Sequence, residues 1–395
     1  MTTIPRADGL RVLFAGGGTG GHLMPGAATA RALQELVPGA ASLFQMTHRS
    51  AERSCLPALA GCRTARMGDL RWAGPAGKVL WPARAGAALS RTLDVLRGFR
   101  PHVVVGLGGV NSVLPVLVAR TLGMRTAVLE SNALPGRAVR ALAPVCDCVL
   151  LHWPQAAAGL RARRTVLTGS PVRPEVLAGD RRAARRRLGL CPLRPTLLAM
   201  GGSQGALALN EALLSALGLV RAGGADVQVL HLTGAGLLNG TRERAARMGL
   251  TGYRAVGFME RMADAYAAAD VVLARAGGST LAELTALGLP AILVPYPYAT
   301  DGHQVANAEA AAAAGAAVVI PQSALTAQSL ADAILALVRD DARRGRMAAC
   351  ARRIGRPRAA RAAALHLAAL AGVAPQARPI RPSDDTTIHR PLIAA

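Results

Sequence analysis

The chain has almost no lysine. Among its 46 basic residues only Lys78 is a lysine, and the rest are arginine. Aromatic residues are just as scarce, 3% of 395 positions, so leucine, valine and alanine must fill any core. A binder of single-stranded nucleic acid stacks bases on aromatics interleaved with its cations, and that scarcity argues against nucleic acid as a partner. The six cysteines, Cys55, Cys62, Cys146, Cys148, Cys191 and Cys350, form no CxxC pair. This excludes a zinc ribbon and a thioredoxin-like motif; scattered thiols read as reduced core residues of the cytosol. The opening MTTIPRADGL lacks the apolar run of a secretory signal.

What is present points to a folded protein of two domains. Hydrophobic residues are 51% of the chain and charged residues 17%, and 395 residues exceed one ordinary core. The formal net charge is +23. Either a compositional bias toward Ala, Arg and Gly spreads that charge, or it attracts phosphates on nucleic acid or an anionic lipid surface. The cluster RRAARRR (181–187) reads first as a solvated helix or linker face. The uncharged run VVVGLGGVNSVLPVLVA (103–119) approaches the length of a membrane span. Its glycines, Asn-Ser pair, proline and early β-branched residues fit strand, glycine loop and helix better.

That strand–loop–helix pattern recurs at RVLFAGGGTGGHLMPGAATARAL (11–33), 103–123, TLLAMGGSQGALALNEALLSAL (196–217) and VVLARAGGSTLAELTALG (271–288). Between these lie the strand candidates ASLFQM, TAVLE, CVLL, DVQVLHL and AILVPY. The alternation predicts parallel sheets with helices on both faces. The rhythm starts twice, near 11 and near 195, and residues 169–195 between the two series read as a linker. Residues 343–372 are helical in composition and broken near Pro357; the Pro/Arg-rich tail 373–395 has no period and is expected to be disordered. Ligands of such sheets bind outside the carboxyl ends of the strands, so the four glycine loops are expected to converge on a cleft between two doubly wound domains.

The loops are built for phosphate, but not in the common ways. Gly16 to Gly21 satisfy GxGxxG, yet ASLFQM leads into Thr47-His48-Arg49 with no ribose-binding acid. His22 stands where a P-loop has its lysine. The plainer reading, glycines for tight strand-to-helix packing, suits one loop better than four in register. His22 lies at a helix start, whose positive end favours the neutral imidazole; it is either a histidine held by a carbonyl or a general base. Glu283 lies about a turn past Gly277, Gly278, Ser279 and Thr280. A phosphate on that helix start and a ribose on that carboxylate are spaced as in a nucleotide. His303, Gln304 and Asn307, in YPYATDGHQVANAEAAAA, either cap a helix or read sugar hydroxyls. Glu130, Ser131 and Asn132 follow a strand at its carboxyl end.

These residues bring out a resemblance. GGGTGGHLMPG, GLGGVNSVLP, LESNALPGR, GSPVRP, GGSQGALALN and the run from GFMERMADAY to DGHQVANA are collinear over about residues 11 to 320. The chain resembles the MurG family of peptidoglycan glycosyltransferases. The resemblance implies a GT-B fold: two Rossmann-like α/β domains, doubly wound and facing across a cleft. It implies an acceptor domain over 9–172, a UDP-GlcNAc domain over 173–342 and a segment 343–372 returning to the first. It also implies inverting transfer of GlcNAc from UDP-GlcNAc to the MurNAc 4-hydroxyl of lipid I, giving lipid II. The enzyme would sit peripherally on the cytoplasmic face of the inner membrane.

Carried over by position, Glu283 holds the ribose, Gly278, Ser279 and Thr280 meet the diphosphate, and Phe258 and Met259 border the uracil. Gln304, with His303 and Asn307, reads the GlcNAc hydroxyls; Arg173, Ser203 and Gln204 match donor-side positions. Thr19, Gly20, Gly21, Gly108, Gly109, Ser112 and Asn132 match acceptor-side positions. His22 is the first candidate base and Glu130 the second. Three motifs depart from the family: Val110 replaces the tyrosine of GGYxS, HEQN reads Leu129-Glu130-Ser131-Asn132, and GNPVR reads GSPVR. No Asp-x-Asp pair lies near the loops, so no cofactor or essential metal is expected. The segment 70–93 mixes Trp72, Val79, Leu80, Trp81 and Leu89 with Arg71, Lys78, Arg84 and Arg91. It reads as an interfacial surface on anionic lipid or as an ordinary amphipathic helix end. Rival functions are a UDP-GlcNAc 2-epimerase, a glycolipid-forming glycosyltransferase and a sugar-nucleotide-binding subunit without its own chemistry.

Overall fold

The computed structural model describes residues 9–17, 20–47, 52, 55–68, 70, 81–202, 204–374 and 387–388. They fall into two units, one of residues up to Arg173 and from Arg358 onward, the other Pro174–Pro357. The first holds parallel strands β1 (Arg11–Ala15), β2 (Ala41–Met46), β3 (Arg63–Arg66), β4 (Val103–Gly106), β5 (Arg125–Glu130), β6 (Cys148–Leu151) and β7 (Thr165–Leu167). Their order is β7-β6-β5-β4-β1-β2-β3, and Thr387–Ile388 pair antiparallel with β7. The second holds β8 (Thr196–Met200), β9 (Gln228–Leu232), β10 (Tyr253–Val256), β11 (Val271–Ala274), β12 (Ala291–Leu293) and β13 (Ala317–Val319), all parallel, ordered β10-β9-β8-β11-β12-β13.

Both sheets are therefore doubly wound in the 3-2-1-4-5-6 sense. Their strand order reverses between β1 and β4 in the first and between β8 and β11 in the second. At such a reversal the flanking connections leave in opposite directions and open a crevice at the strands' carboxyl ends. The loops after β1 and β4 stand at one reversal and those after β8 and β11 at the other. The four glycine loops thus fall into two pairs. The inner strands VVVG, TLLAM and VVLA are buried along their whole length, which is why they read as unbroken apolar runs.

Alanine carries much of the packing. In the first unit the helices Gly20–Leu36 and Ala359–Leu370 lie together, burying Ala27, Ala28 and Ala30 with Ala360, Ala363 and Ala364 in one core. Side chains this small let helix backbones approach closely and compensate for the missing aromatics; Phe14 and Phe44 stack beneath them at 4.8 Å.

Three expectations change. The segment 343–372 is not one returning element. Asp341–Ile354 stays in the second unit, and only Ala359–Leu370 joins the first. The break falls at Gly355, where a Cβ would stand 2.1 Å from the Thr285 carbonyl oxygen. Nor is 169–195 a free linker: from Pro174 it belongs to the second unit. Within it RRAARRR is a solvated face only in part: Arg181, Arg182, Arg186 and Arg187 are exposed, but Arg185 is 2% exposed and ion-paired with Asp270. The run 103–119 resolves into β4, a tight turn Val110–Ser112 and the helix Val113–Thr121. No helix among the described residues is long and apolar enough to cross a membrane. The tail 373–395 lies mostly outside the described residues.

Candidate active site

At the first reversal the two glycine loops touch through backbone. A Cβ on Gly16, whose φ is +106°, would lie 2.8 Å from the Gly108 carbonyl oxygen and 2.9 Å from Ser112 Cβ. No side chain fits between the loops, and Gly108 itself has φ +93°. Ser112 is buried and closes the second loop, its Oγ donating to the Gly109 carbonyl at 2.7 Å. His22, half-buried, is the third residue of the helix Gly20–Leu36. Its ring lies over Gly108, where a Cβ would meet Cδ2 at 3.2 Å and Nε2 at 3.3 Å. His22, Gly20, Gly21, Gly108, Gly109 and Ser112 are thus brought together at this reversal; Thr19 lies outside the described residues. Val110, at the family's tyrosine position, is 43% exposed on the same turn.

One strand further along the sheet, Glu130 ends β5 with its side chain buried. Its Oε1 accepts from the Asn132 backbone N–H at 2.8 Å and from Asn132 Nδ2 at 2.9 Å; its Oε2 accepts from Gly136 N at 2.9 Å. Burial pushes this carboxyl above its ordinary range, and the same hydrogen bonds pull it back. Both oxygens therefore fold the loop 131–136. Ser131 Oγ shares a 2.7 Å hydrogen bond with Ser170 Oγ, and Ser170 N donates to His152 Nδ1 at 3.0 Å. The two serines that depart from the family motifs are each other's partners. Glu52 was not foreseen: it is fully buried, accepts from Thr47 Oγ1 at 2.9 Å, and its Oε1 stands where a Cβ on Gly17 would be 2.6 Å away. Nothing in its sequence surroundings marks it.

At the second reversal the helix Gly278–Leu287 starts directly after the turn that follows β11. Gly277 is its N-cap and has no side chain to satisfy the first-turn N–H groups, so Gly278, Ser279 and Thr280 present the positive helix end. Glu283, half-buried one turn on, accepts a 2.6 Å hydrogen bond from Tyr266 Oη, and Tyr266 is itself buried. Asn307 is fully buried and its Nδ2 donates to the Ala276 carbonyl at 3.0 Å, tying its helix to the glycine turn. Gln304 Oε1 accepts from Tyr296 N at 2.9 Å, and His303 Nδ1 donates to the Thr300 carbonyl at 2.5 Å. Arg275 supports the same loop from below, donating to the Val294 carbonyl at 3.1 Å with its guanidinium 5.5 Å from the Tyr296 ring centre.

Across the sheet, Gln204 is exposed on the loop after β8, next to β11. Phe258, 53% exposed, and Met259 follow β10, three strands from β11. Arg173 ends the first unit, and Ser203 lies outside the described residues. Tyr266 went unnoticed in the sequence because it sits outside the glycine loops, and Arg275 because an arginine opening such a loop does not show that it turns back to the Val294 carbonyl. Among the described residues no three His, Cys, Asp or Glu side chains are grouped to hold a metal ion.

Two Rossmann-like units with paired glycine loops at both strand reversals are the architecture of the GT-B class, and the family matches make it that of a glycosyltransferase. Residues 12–151 match the glycosyltransferase family 28 N-terminal domain and 196–364 the family 28 C-terminal domain. The UDP-N-acetylglucosamine–N-acetylmuramyl-(pentapeptide) pyrophosphoryl-undecaprenol N-acetylglucosamine transferase of Desulforudis audaxviator is 40% identical over 360 residues, 89% of this chain and 95% of the relative. MurG of Acinetobacter baumannii superposes with TM-score 0.72 at 26% identity, over 91% of this chain and 98% of that one. A putative UDP-N-acetylglucosamine 2-epimerase from Listeria monocytogenes, 14% identical with TM-score 0.67 over 92% and 98% of the two chains, shares the fold alone. The chain belongs to the MurG family of glycosyltransferase family 28.

Proposed function

We propose that this protein transfers GlcNAc from UDP-GlcNAc to the MurNAc 4-hydroxyl of lipid I with inversion, forming lipid II. The observation that carries the donor half is Glu283, a carboxylate one turn into an uncapped helix start, oriented by Tyr266. In this reading the ribose hydroxyls donate to Glu283. The N–H groups of Gly278, Ser279 and Thr280 take up charge developing on the leaving diphosphate, so the reading calls for no metal. Gln304, His303 and Asn307 shape the sugar subsite, and Phe258 and Met259 the uracil edge. On the first unit the acceptor meets the loops of Gly108 and Gly109, and the 4-hydroxyl proton passes to His22. Glu130 shapes the acceptor loop through Asn132.

The assay that tests this supplies labelled UDP-GlcNAc and short-chain lipid I. The expected product is labelled lipid II; release of UDP-ManNAc identifies an epimerase instead, and no product ends the reading. In the same assay Glu283→Ala is expected to weaken UDP-GlcNAc binding by roughly 10–100-fold, since it removes charge-assisted hydrogen bonds to the ribose. Calorimetric titration with UDP measures this directly, and unchanged affinity would remove Glu283 from the donor site.

A lipid-linked acceptor requires contact with the membrane. The helix Trp81–Phe99 exposes Trp81 and Leu89, each 39% exposed, and its Arg84 and Arg91 are exposed too. Ala85, Ala88 and Leu114 pack with Met67 and Leu70 on its inner side, which gives the helix an ordinary core face as well as a free one. Residues 71–80, with Trp72 and Lys78, lie outside the described residues. The free face suits peripheral attachment to an anionic leaflet on the cytoplasmic side of the inner membrane. Replacing both Trp72 and Trp81 with glutamine is expected to lower co-sedimentation with phosphatidylglycerol vesicles several-fold. Undiminished pelleting of the double variant would sink the assignment.

A further inference from the structure

Beneath the loop after β8 runs a chain of buried polar groups that none of the proposed binding steps uses. Asn210, on the helix Leu207–Ala222, donates from Nδ2 to the Thr233 carbonyl at 3.0 Å. Its Oδ1 lies 2.9 Å from His231 Nε2, and His231 Nδ1 lies 2.6 Å from Tyr253 Oη. His231, Asn210 and Thr233 are all buried.

The proton positions follow from elimination. A carbonyl only accepts, so the Asn210 amide nitrogen must face Thr233 and its oxygen must face His231. That oxygen only accepts, so His231 must carry its proton on Nε2. A neutral imidazole then has a lone pair at Nδ1, and the Tyr253 hydroxyl donates to it. Burial supports the neutral form, pushing the His231 pKa down to about 4. It also holds the Tyr253 phenol protonated, well above its ordinary range.

The far end of the chain grips the glycine loop. A Cβ on Gly205 would stand 2.1 Å from the Thr233 carbonyl oxygen, and one on Gly234 would stand 2.6 Å from the Gln204 carbonyl oxygen. Thr233–Gly234 and Gln204–Gly205 interlock with no room for a side chain, so the place of Thr233 sets the place of Gln204. We propose that His231, as its Nε2–H tautomer, is a positioning residue for the donor loop 201–206. It fixes Asn210, which fixes Thr233 and so the backbone of Gly202, Gln204 and Gly205. His231 touches no substrate and acts only through Asn210. The inference rests on the reading of the second unit as the donor site.

The test joins kinetics to spectroscopy. His231→Leu leaves Asn210 Oδ1 without a donor and is expected to raise the KM for UDP-GlcNAc about tenfold, with kcat and the KM for lipid I within about twofold. His231→Gln places an amide N–H near the position of Nε2 and is expected to keep the donor KM within about threefold of the parent. In the intact protein, nitrogen-15 spectra of the imidazole should show a neutral ring protonated at Nε2. A ring protonated at Nδ1, or an imidazolium at neutral pH, overturns the proposal. So does a His231→Leu enzyme with the parent's donor KM, or one whose loss glutamine fails to relieve. Glu283→Ala, measured alongside, separates the two failures. Should Glu283→Ala weaken UDP-GlcNAc while His231→Leu does not, only this inference falls; should neither, the donor reading falls with it.

Discussion

Replacing His22 with alanine is expected to lower kcat by roughly 10²–10⁴-fold, with UDP-GlcNAc binding within about twofold of the parent. The effect follows from the position of the ring. It stands at the strand reversal of the first unit, on the first turn of the helix Gly20–Leu36, beside the loop that follows β4. Gly108 lets it lie there, since any side chain at that position would meet the ring at 3.2 Å. Glu130 is differently engaged. Its two oxygens already accept three hydrogen bonds from Asn132 and Gly136, which suits a group that holds a loop better than one that exchanges a proton with substrate. The alanine variant also removes packing, so His22→Asn serves as the control: a polar side chain that does not titrate. Single-turnover rates with donor and acceptor both saturating should fall alike in the two variants. Rates within tenfold of the parent would place the base elsewhere.

The parts of this molecule legible in the sequence are those whose neighbours on both sides are protein. Strands β1, β4, β8 and β11 show as short apolar runs because each is buried along nearly its whole length. Strands β3, β7, β10 and β13 were not singled out. β3, β10 and β13 stand at the edges of their sheets and β7 is only three residues long; RTAR or YRAV carry no unbroken apolar signal because one side of each faces little protein. The site divides in the same way. Glycine loops, His22 and Glu283 are visible because a strand, a glycine turn and a helix start follow one another at a fixed local spacing. Tyr266 is not, because it reaches Glu283 from 17 positions away, and neither is His231, whose partners come from other elements. Local motifs reveal the loop residues themselves, while the side chains that hold those loops come together only when the sheet forms.

The same distinction explains the arginine cluster, and with it the largest expected effect on stability. Arg185→Met is expected to cost about 1–3 kcal/mol, because it leaves the Ala268 and Pro192 carbonyls without their donor and Asp270 with only the half-exposed Arg181 as its ion-pair partner. Read as sequence, RRAARRR is a charged face. In the fold three of its arginines reach carboxylates: Arg181 and Arg185 meet Asp270, and Arg187 meets Asp264. Arg185 does most. Its Nη2 donates to Asp270 Oδ2 at 2.7 Å, its Nε to the Ala268 carbonyl at 3.2 Å and its Nη1 to the Pro192 carbonyl at 2.6 Å. Asp270 Oδ2 in turn accepts from Thr196 N at 2.7 Å, where β8 begins. One guanidinium thus joins the helix Arg181–Arg187, the entry to β8 and the entry to β11, the two strands that flank the second reversal. Lysine offers a point charge in place of this fork, so Arg185→Lys should recover little. Removing both charges should recover part of the loss: Arg185→Met with Asp270→Leu leaves no half-paired buried carboxylate, at the cost of the acceptor for Thr196 N, and is expected to be more stable than Arg185→Met alone. Calorimetry of the second unit's unfolding transition measures the series. An Arg185→Met transition at the parent's temperature would mean that the pair contributes nothing net. A double variant no better than the single would mean that the carbonyls of Ala268 and Pro192, not Asp270, are what Arg185 satisfies.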